Sequence, residues 1–236
     1  MNKLLKPILT VFLFLLLFGC GSNNDSVTPA SEFVNGASLL GLVNGRTINY
    51  LQTDTVISIE PFKIDIITTN QTIKITGSGD DWIIQDNDQL LINLKVTTTS
   101  VIQNGYWRKV NAQDSIFYFA APPVLMMRSL TKSIDWDDFT PFYKTDTSQE
   151  MLPFYYSYFG FNYTKEFIGI EEIITPAGAF NAYRFDVSLF VNFNDVSPIA
   201  TVSEFYAPNI GLVKLNFSSG PLRRSLTMIS YIDTAG

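Results

Sequence analysis

Along most of this chain apolar and polar side chains alternate one by one, and that period confines the fold to pleated sheet. Ile73 and Ile75 alternate with Thr72, Lys74 and Thr76, and Leu90, Ile92, Leu94 and Val96 with Asn93, Lys95 and Thr97. Phe62, Ile64 and Ile66 alternate in the same way with Lys63 and Asp65. The longest case sets Tyr183, Phe185, Val187, Leu189, Val191 and Phe193 against Arg184, Asp186, Ser188 and Asn192, and a later one sets Val213, Leu215 and Phe217 against Lys214, Asn216 and Ser218. Successive side chains of a strand point to opposite faces, so each stretch predicts one buried face and one wet face. One-sided burial is the mark of antiparallel sheet. No segment keeps apolar residues at helical spacing for more than a turn or two, so the expected class is all-β or nearly so, with few short helices. The expected architecture is a single domain of curved antiparallel sheet, either half-barrel or open sandwich, over residues 37–236.

Two hairpins can be placed from turn chemistry. Pro176-Ala177-Gly178 follows Ile173-Ile174-Thr175; proline presets the first corner and glycine can take positive φ, which predicts a three-residue loop closed by a glycine bulge. Ala207-Pro208-Asn209-Ile210-Gly211 separates Glu204-Phe205-Tyr206 from Leu212-Val213-Lys214. Asn209 after Pro208 predicts a tight corner, because asparagine tolerates positive φ.

The amino terminus has a different grammar. Lys3 and Lys6 precede the apolar run Ile8–Phe18, and Gly19-Cys20 ends it. The run is shorter than the ~20 residues of a membrane-spanning helix. It leads into Gly21-Ser22-Asn23-Asn24-Asp25 and lacks the basic flank of a stop-transfer segment. Leu17-Phe18-Gly19-Cys20 resembles the lipobox of bacterial lipoprotein precursors, although Phe18 stands where a small or β-branched residue is usual. The resemblance implies a signal peptide over residues 1–19, cleavage before Cys20 and lipid attachment on its sulfur. Cys20 is the one cysteine of 236 residues, so no intramolecular disulfide is available and the thiol is free for acylation. Stable anchoring takes more than one acyl chain, which a diacyl cysteine supplies. Residues 20–36 then read as anchor and flexible tether, rich in Gly, Ser, Asn, Thr and Pro. Gly21, where an inner-membrane lipoprotein of enteric type carries Asp, implies the outer membrane. The expected orientation is toward the periplasm, with the cell surface as the alternative.

Without residues 1–19 the chain carries 14 basic against 22 acidic side chains. Its longest basic run is Arg223-Arg224. Nucleic acid is therefore excluded as a partner, since binding it needs clustered cations. The expected partners are the membrane, through acyl chains on Cys20, and an apolar small molecule or an envelope protein.

A second resemblance rests on the two hairpins. Glu172-Ile173-Ile174-Thr175-Pro176-Ala177-Gly178-Ala179-Phe180-Asn181-Ala182-Tyr183 and Phe205-Tyr206-Ala207-Pro208-Asn209-Ile210-Gly211-Leu212-Val213-Lys214 are similar to PAGxF and YAPxxGLVK turns. Such turns occur in uncharacterised bacterial periplasmic and lipoprotein β-sheet domains near the half-barrel carriers of the LolA/LolB type. The likeness covers roughly residues 167–218, with Phe205 where Trp is common and Asn209 where Gly is common. It implies a curved sheet and, by analogy, an apolar cavity; turn-and-strand devices do not themselves specify an activity.

Reactive constellations are scarce. The chain has no histidine, which removes Ser-His-Asp and Cys-His nucleophile systems and histidine-based metal sites. Gly77-Ser78-Gly79 runs into Asp80-Asp81 and reads as a turn. Asp135-Trp136-Asp137-Asp138 could offer oxygens to Ca²⁺ but lacks the glycine and distal glutamate of an EF-hand loop, so it reads first as a solvated acidic loop. Glu171 and Glu172 are adjacent, so on a strand they face opposite ways and cannot share a hydrolytic site. No cofactor and no metal are expected. The densest aromatic run is Phe154-Tyr155-Tyr156-Ser157-Tyr158-Phe159-Gly160-Phe161-Asn162-Tyr163. Its first reading is core packing; its functional reading is ligand contact through Tyr155, Tyr156, Tyr158, Phe159 and Tyr163.

The expectation is a non-enzymatic lipoprotein that binds an apolar ligand or serves as an envelope scaffold. A glycan-binding module built on residues 154–163 and a carboxylate-dependent hydrolase are the two alternatives.

Overall fold

The alternating stretches are strands in the computed structural model, which describes residues 33–87, 90–109, 115–131, 138–141, 162–190 and 197–234. In chain order the elements are β1 (Phe33–Val34), α1 (Gly36–Leu39), β2 (Arg46–Ser58), β3 (Lys63–Ser78), β4 (Asp81–Asp86), β5 (Leu90–Val96) and β6 (Ser100–Lys109). They continue with β7 (Ser115–Arg128), β8 (Leu130–Thr131), β9 (Asp138–Pro141), β10 (Asn162–Thr175), β11 (Gly178–Phe190), β12 (Ala200–Ala207), β13 (Gly211–Ser219) and β14 (Leu222–Asp233). Twelve of the strands form one antiparallel sheet in the order β7-β6-β5-β4-β3-β2-β14-β13-β12-β11-β10-β9. Every neighbour but one is a sequence neighbour; the β14–β2 pairing joins the two halves. Phe33 and Val34, read from sequence as tether, pair instead with β8.

The sheet curls. Lys165 on β10 donates to the Met126 carbonyl on β7 at 3.4 Å, although these strands stand at opposite ends of the order. Inside the curl lie Ile48, Tyr50, Ile73, Ile75, Ile84, Ile92 and Leu94 from one half. The other half contributes Phe185, Val187, Leu189, Val202, Tyr206, Leu215 and Phe217. Each fully buried large side chain contributes about 1.5–3 kcal/mol relative to exposure. The Tyr50 hydroxyl donates to the Leu212 carbonyl at 2.7 Å, so its burial strands no polar atom.

Both hairpins form. Asn209 takes φ +63°, and the Ile210 N–H closes the corner on the Ala207 carbonyl at 3.0 Å. At the other hairpin Thr175 pairs directly with Gly178, so the loop is two residues long, one fewer than turn chemistry alone suggested. The reason is Thr175, whose hydroxyl accepts the Ala177 N–H and donates to the Gly178 carbonyl, tightening the bend.

The 207–211 turn is also where α1 docks. Asn35 caps the helix by accepting the Ala37 N–H, and Leu39 and Leu40 are buried beneath it. Arg46, 3% exposed, holds Asp233 with two hydrogen bonds of 2.6 and 2.8 Å and donates to the carbonyls of Gly41, Asn209 and Ile210. Arg46 thus ties the helix, the turn and the last strand together.

A further expectation fails. Phe62, Ile64 and Ile66 alternate as if one face were buried, yet they are 74%, 50% and 67% exposed. The reason is topological: β4 pairs only with Ile73–Ser78, and β14 reaches only to Val56 on β2. The β2–β3 ribbon therefore runs past the strands that would cover it.

Candidate functional site

Strand register builds one concave surface on the outer face of the sheet. Thr201 pairs with Ser218, Ser218 with Arg223 and Arg223 with Thr55; beside that row Ser203 pairs with Asn216, Asn216 with Ser225 and Ser225 with Thr53. These eight residues from β12, β13, β14 and β2 line an open groove of about 410 Å³. Seven of them are uncharged. Each hydroxyl offers one donor and two acceptor sites, and Asn216 adds both amide functions. The next row across the same face holds Arg184, Phe205 and Lys214. Phe205 is buried there between the two cations, each about 6 Å from its ring centre.

Arg223 directs its guanidinium to the carbonyls of Gly220 and Leu222 at 2.7 and 3.0 Å, which fixes it at one end of the groove. Directly behind, on the inner face, Arg224 grips Asp54 through bonds of 2.6 and 2.8 Å. Burial works to raise the Asp54 carboxyl, but hydrogen bonds from Arg224 and Gln52 and the Arg224 charge outweigh it and hold the group below the ordinary carboxylate range. The strands that floor the groove are thereby pinned at a fixed register. The groove, whose lining Phe217 and Arg224 complete, offers hydrogen bonds and arginine cations. Its chemistry suits recognition of a polar surface, since most of the lining is hydroxyl and amide groups.

The inner face holds a second polar cluster. Lys165 and Glu204, 6% and 0% exposed, meet at 2.6 Å. The Lys165 ammonium also stands 5.2 and 5.4 Å from the ring centres of Phe185 and Tyr206. Gln103, at the β6 bulge, is wholly buried, and neither atom of its amide has a hydrogen-bond partner among the described residues. Asp86 is buried enough that desolvation pushes its carboxyl up to about 6.

The residues singled out from sequence fare differently. Cys20, Tyr155, Tyr156, Tyr158 and Phe159 lie outside the described residues, as do Asp135, Trp136 and Asp137. Of Tyr163 the backbone is described, paired with Leu189 and Thr140. Glu171 bonds Arg184 at 3.0 Å, whereas Glu172 is exposed, so the adjacent pair does diverge. Among the described residues no group of three His, Cys, Asp or Glu is placed to hold a metal ion. The groove was not found from sequence. Its residues are the ordinary polar alternates of four strands, and only the pairing registers bring them into rows.

No family model and no curated protein matches the chain. Among solved structures, a Parabacteroides distasonis protein provisionally described as a lipoprotein aligns with 84% of this chain and 99% of its own, at 11% identity and a TM-score of 0.39. A β-barrel-like protein of unknown function from Brucella abortus aligns over 82% and 100%, at 7% identity and 0.44. A Bacteroides fragilis protein provisionally described as exported, with a YmcC-like fold, aligns over 86% and 100%, at 13% identity and 0.34. With scores below 0.5, these likenesses carry no argument about ligand, activity or location.

Proposed function

We propose that this chain is a lipid-anchored, non-enzymatic protein of the bacterial envelope that binds a hydroxyl-rich ligand, a glycan, on the outer face of its sheet. The anchor reading rests on Leu17-Phe18-Gly19-Cys20 and the tether behind it, with the outer membrane favoured by Gly21. The binding reading is carried by one observation, the two registered rows of Thr, Ser, Asn and Arg that line the groove. This moves the glycan reading from the 154–163 aromatics to β12, β13, β14 and β2. The apolar-ligand reading draws less on the described residues, whose inner face is lined by the chain's own buried side chains. Dense donors and acceptors in fixed positions suit polyhydroxylated ligands, for which few other side chains provide matched partners in both directions.

The test is an NMR titration with neutral oligosaccharides and soluble cell-wall fragments. Amide shifts should concentrate at Thr53, Thr201, Ser203, Asn216 and Ser225, and Ser225→Leu, which fills the groove without touching the core, should weaken binding at least about tenfold, or about 1.4 kcal/mol. Shifts confined to other strands, or Ser225→Leu binding as wild type, would overturn the assignment.

A further inference from the structure

The β2–β3 ribbon carries information independent of the groove. β3 is 16 residues long, but β4 covers only Ile73–Ser78 of it. Asn87 extends the cover by one step: its N–H donates to the Thr72 carbonyl at 3.0 Å, and its side-chain oxygen accepts the Thr72 N–H at 2.9 Å. From Lys63 to Gln71, β3 has a strand neighbour on its β2 side alone among the described residues. The β2–β3 ladder runs without a bulge from Arg46↔Ile75 to Ser58↔Lys63. Thr72 turns its backbone groups away from β2, so by the two-residue period Asn70, Thr68, Ile66 and Ile64 do the same. The result is an open backbone edge flanked by exposed apolar side chains: Ile59, Phe62, Ile64, Ile66 and Ile67 are 50–81% exposed.

Edges of this kind template pairing with another strand, and proteins guard the ones they do not use. The charges on this edge are Lys63 and Asp65, joined at 2.8 Å, and a pair of opposite sign does not repel a second copy of itself. We propose that the β3 edge pairs antiparallel with the same edge of a second copy of this chain, about a two-fold axis at Ile64. A two-fold normal to the sheet keeps every side chain on its own face, so residue partners share parity. Registers centred on Lys63 or Asp65 set like charges opposite each other. The register centred on Ile64 sets Lys63 opposite Asp65 twice, a favourable cross-strand pair, and brings Phe62, in the turn that precedes β3, alongside Ile66 twice. It also puts the outward-facing backbone of Ile64 on the axis, where the two copies exchange both hydrogen bonds. Centring on Ile66 instead sets Asp65 against Ile67. The same axis leaves both grooves on one side of a continuous sheet.

The test uses two differently tagged copies of the full chain, co-expressed, solubilised from membranes and purified through one tag. Wild type should co-purify with wild type. Lys63→Glu with itself and Asp65→Lys with itself should each lose association at least about tenfold, because each opposes like charges twice. Lys63→Glu mixed with Asp65→Lys should recover it, since that pairing restores opposite charges at both contacts and requires both variants to be folded. Ile66→Pro, which removes an N–H from the open edge and none from the β2 ladder, should also abolish it. Wild-type copies that do not co-purify, single variants that associate as wild type, or a mixed pair that fails to recover would overturn the proposal. None of these outcomes bears on oligosaccharide binding by a single copy, so the groove stands or falls separately.

Discussion

Replacing Lys165 by Met isolates the buried ion pair and should be among the costliest single changes in the chain. Glu204 is wholly buried and Lys165 nearly so, and their charged atoms meet at 2.6 Å. Lys165 further donates to the Met126 carbonyl and faces the Phe185 and Tyr206 rings. Methionine matches the volume of the lysine stem, so the loss is mainly electrostatic: it leaves a carboxylate in the core without its counter-charge. Removing one partner of such a pair costs about 3–5 kcal/mol, a large share of a typical stability of about 5–15 kcal/mol. For a chain of this size the melting temperature should fall by roughly 10–15 °C. The double change Lys165→Met with Glu204→Leu removes both charges and should recover most of that loss, because well-packed apolar replacements of buried pairs are often neutral. Urea unfolding of wild type, both single variants and the double variant gives the coupling directly. A Lys165→Met loss under about 1 kcal/mol, or a double variant no more stable than the worse single, would refute the claim that desolvated charges meet in this core.

Asp86 should make stability rise as pH falls. Its folded carboxyl is pushed up to about 6 by burial, above an ordinary unfolded value, so the folded state binds the proton more tightly and gains on acidification from 7 toward 4. Asp86→Asn should remove that dependence and raise stability at pH 7 by up to about 3 kcal/mol, read from melts across that range. Gln103→Met should stabilise by about 1–3 kcal/mol in urea melts, because both buried amide atoms lack partners among the described residues. Gly41→Ala should destabilise strongly and loosen α1 in hydrogen exchange, since Gly41 has φ +63° and an added methyl would stand 2.3 Å from the Ile210 carbonyl oxygen.

What the sequence makes legible, and what it hides, divides along the range of the interaction. Alternation places β11 and β13 and their buried faces because the information is local to each strand. Asn209 and Gly178 announce their turns for the same reason, through the φ values their side chains permit. Lys165 and Glu204 lie on different strands, and neither looks unusual among its neighbours; they meet only because β10 and β12 flank β11 in a curling sheet. The groove is hidden in the same way, as Thr55, Arg223, Ser218 and Thr201 become a row only through three pairing registers. Residues 62–66 mislead in the opposite sense. Their alternation is that of a half-buried strand, but burial depends on how far β4 and β14 extend, which the ribbon's own residues do not encode.

The proposed membrane anchoring rests on Cys20, and intact mass spectrometry of the protein isolated from membranes reads that point most directly. The account predicts a chain beginning at Cys20 and carrying a diacylglycerol and, in the triacylated form, a further acyl chain. A chain that retains residues 1–19, or one cleaved there with an unmodified thiol, would contradict it.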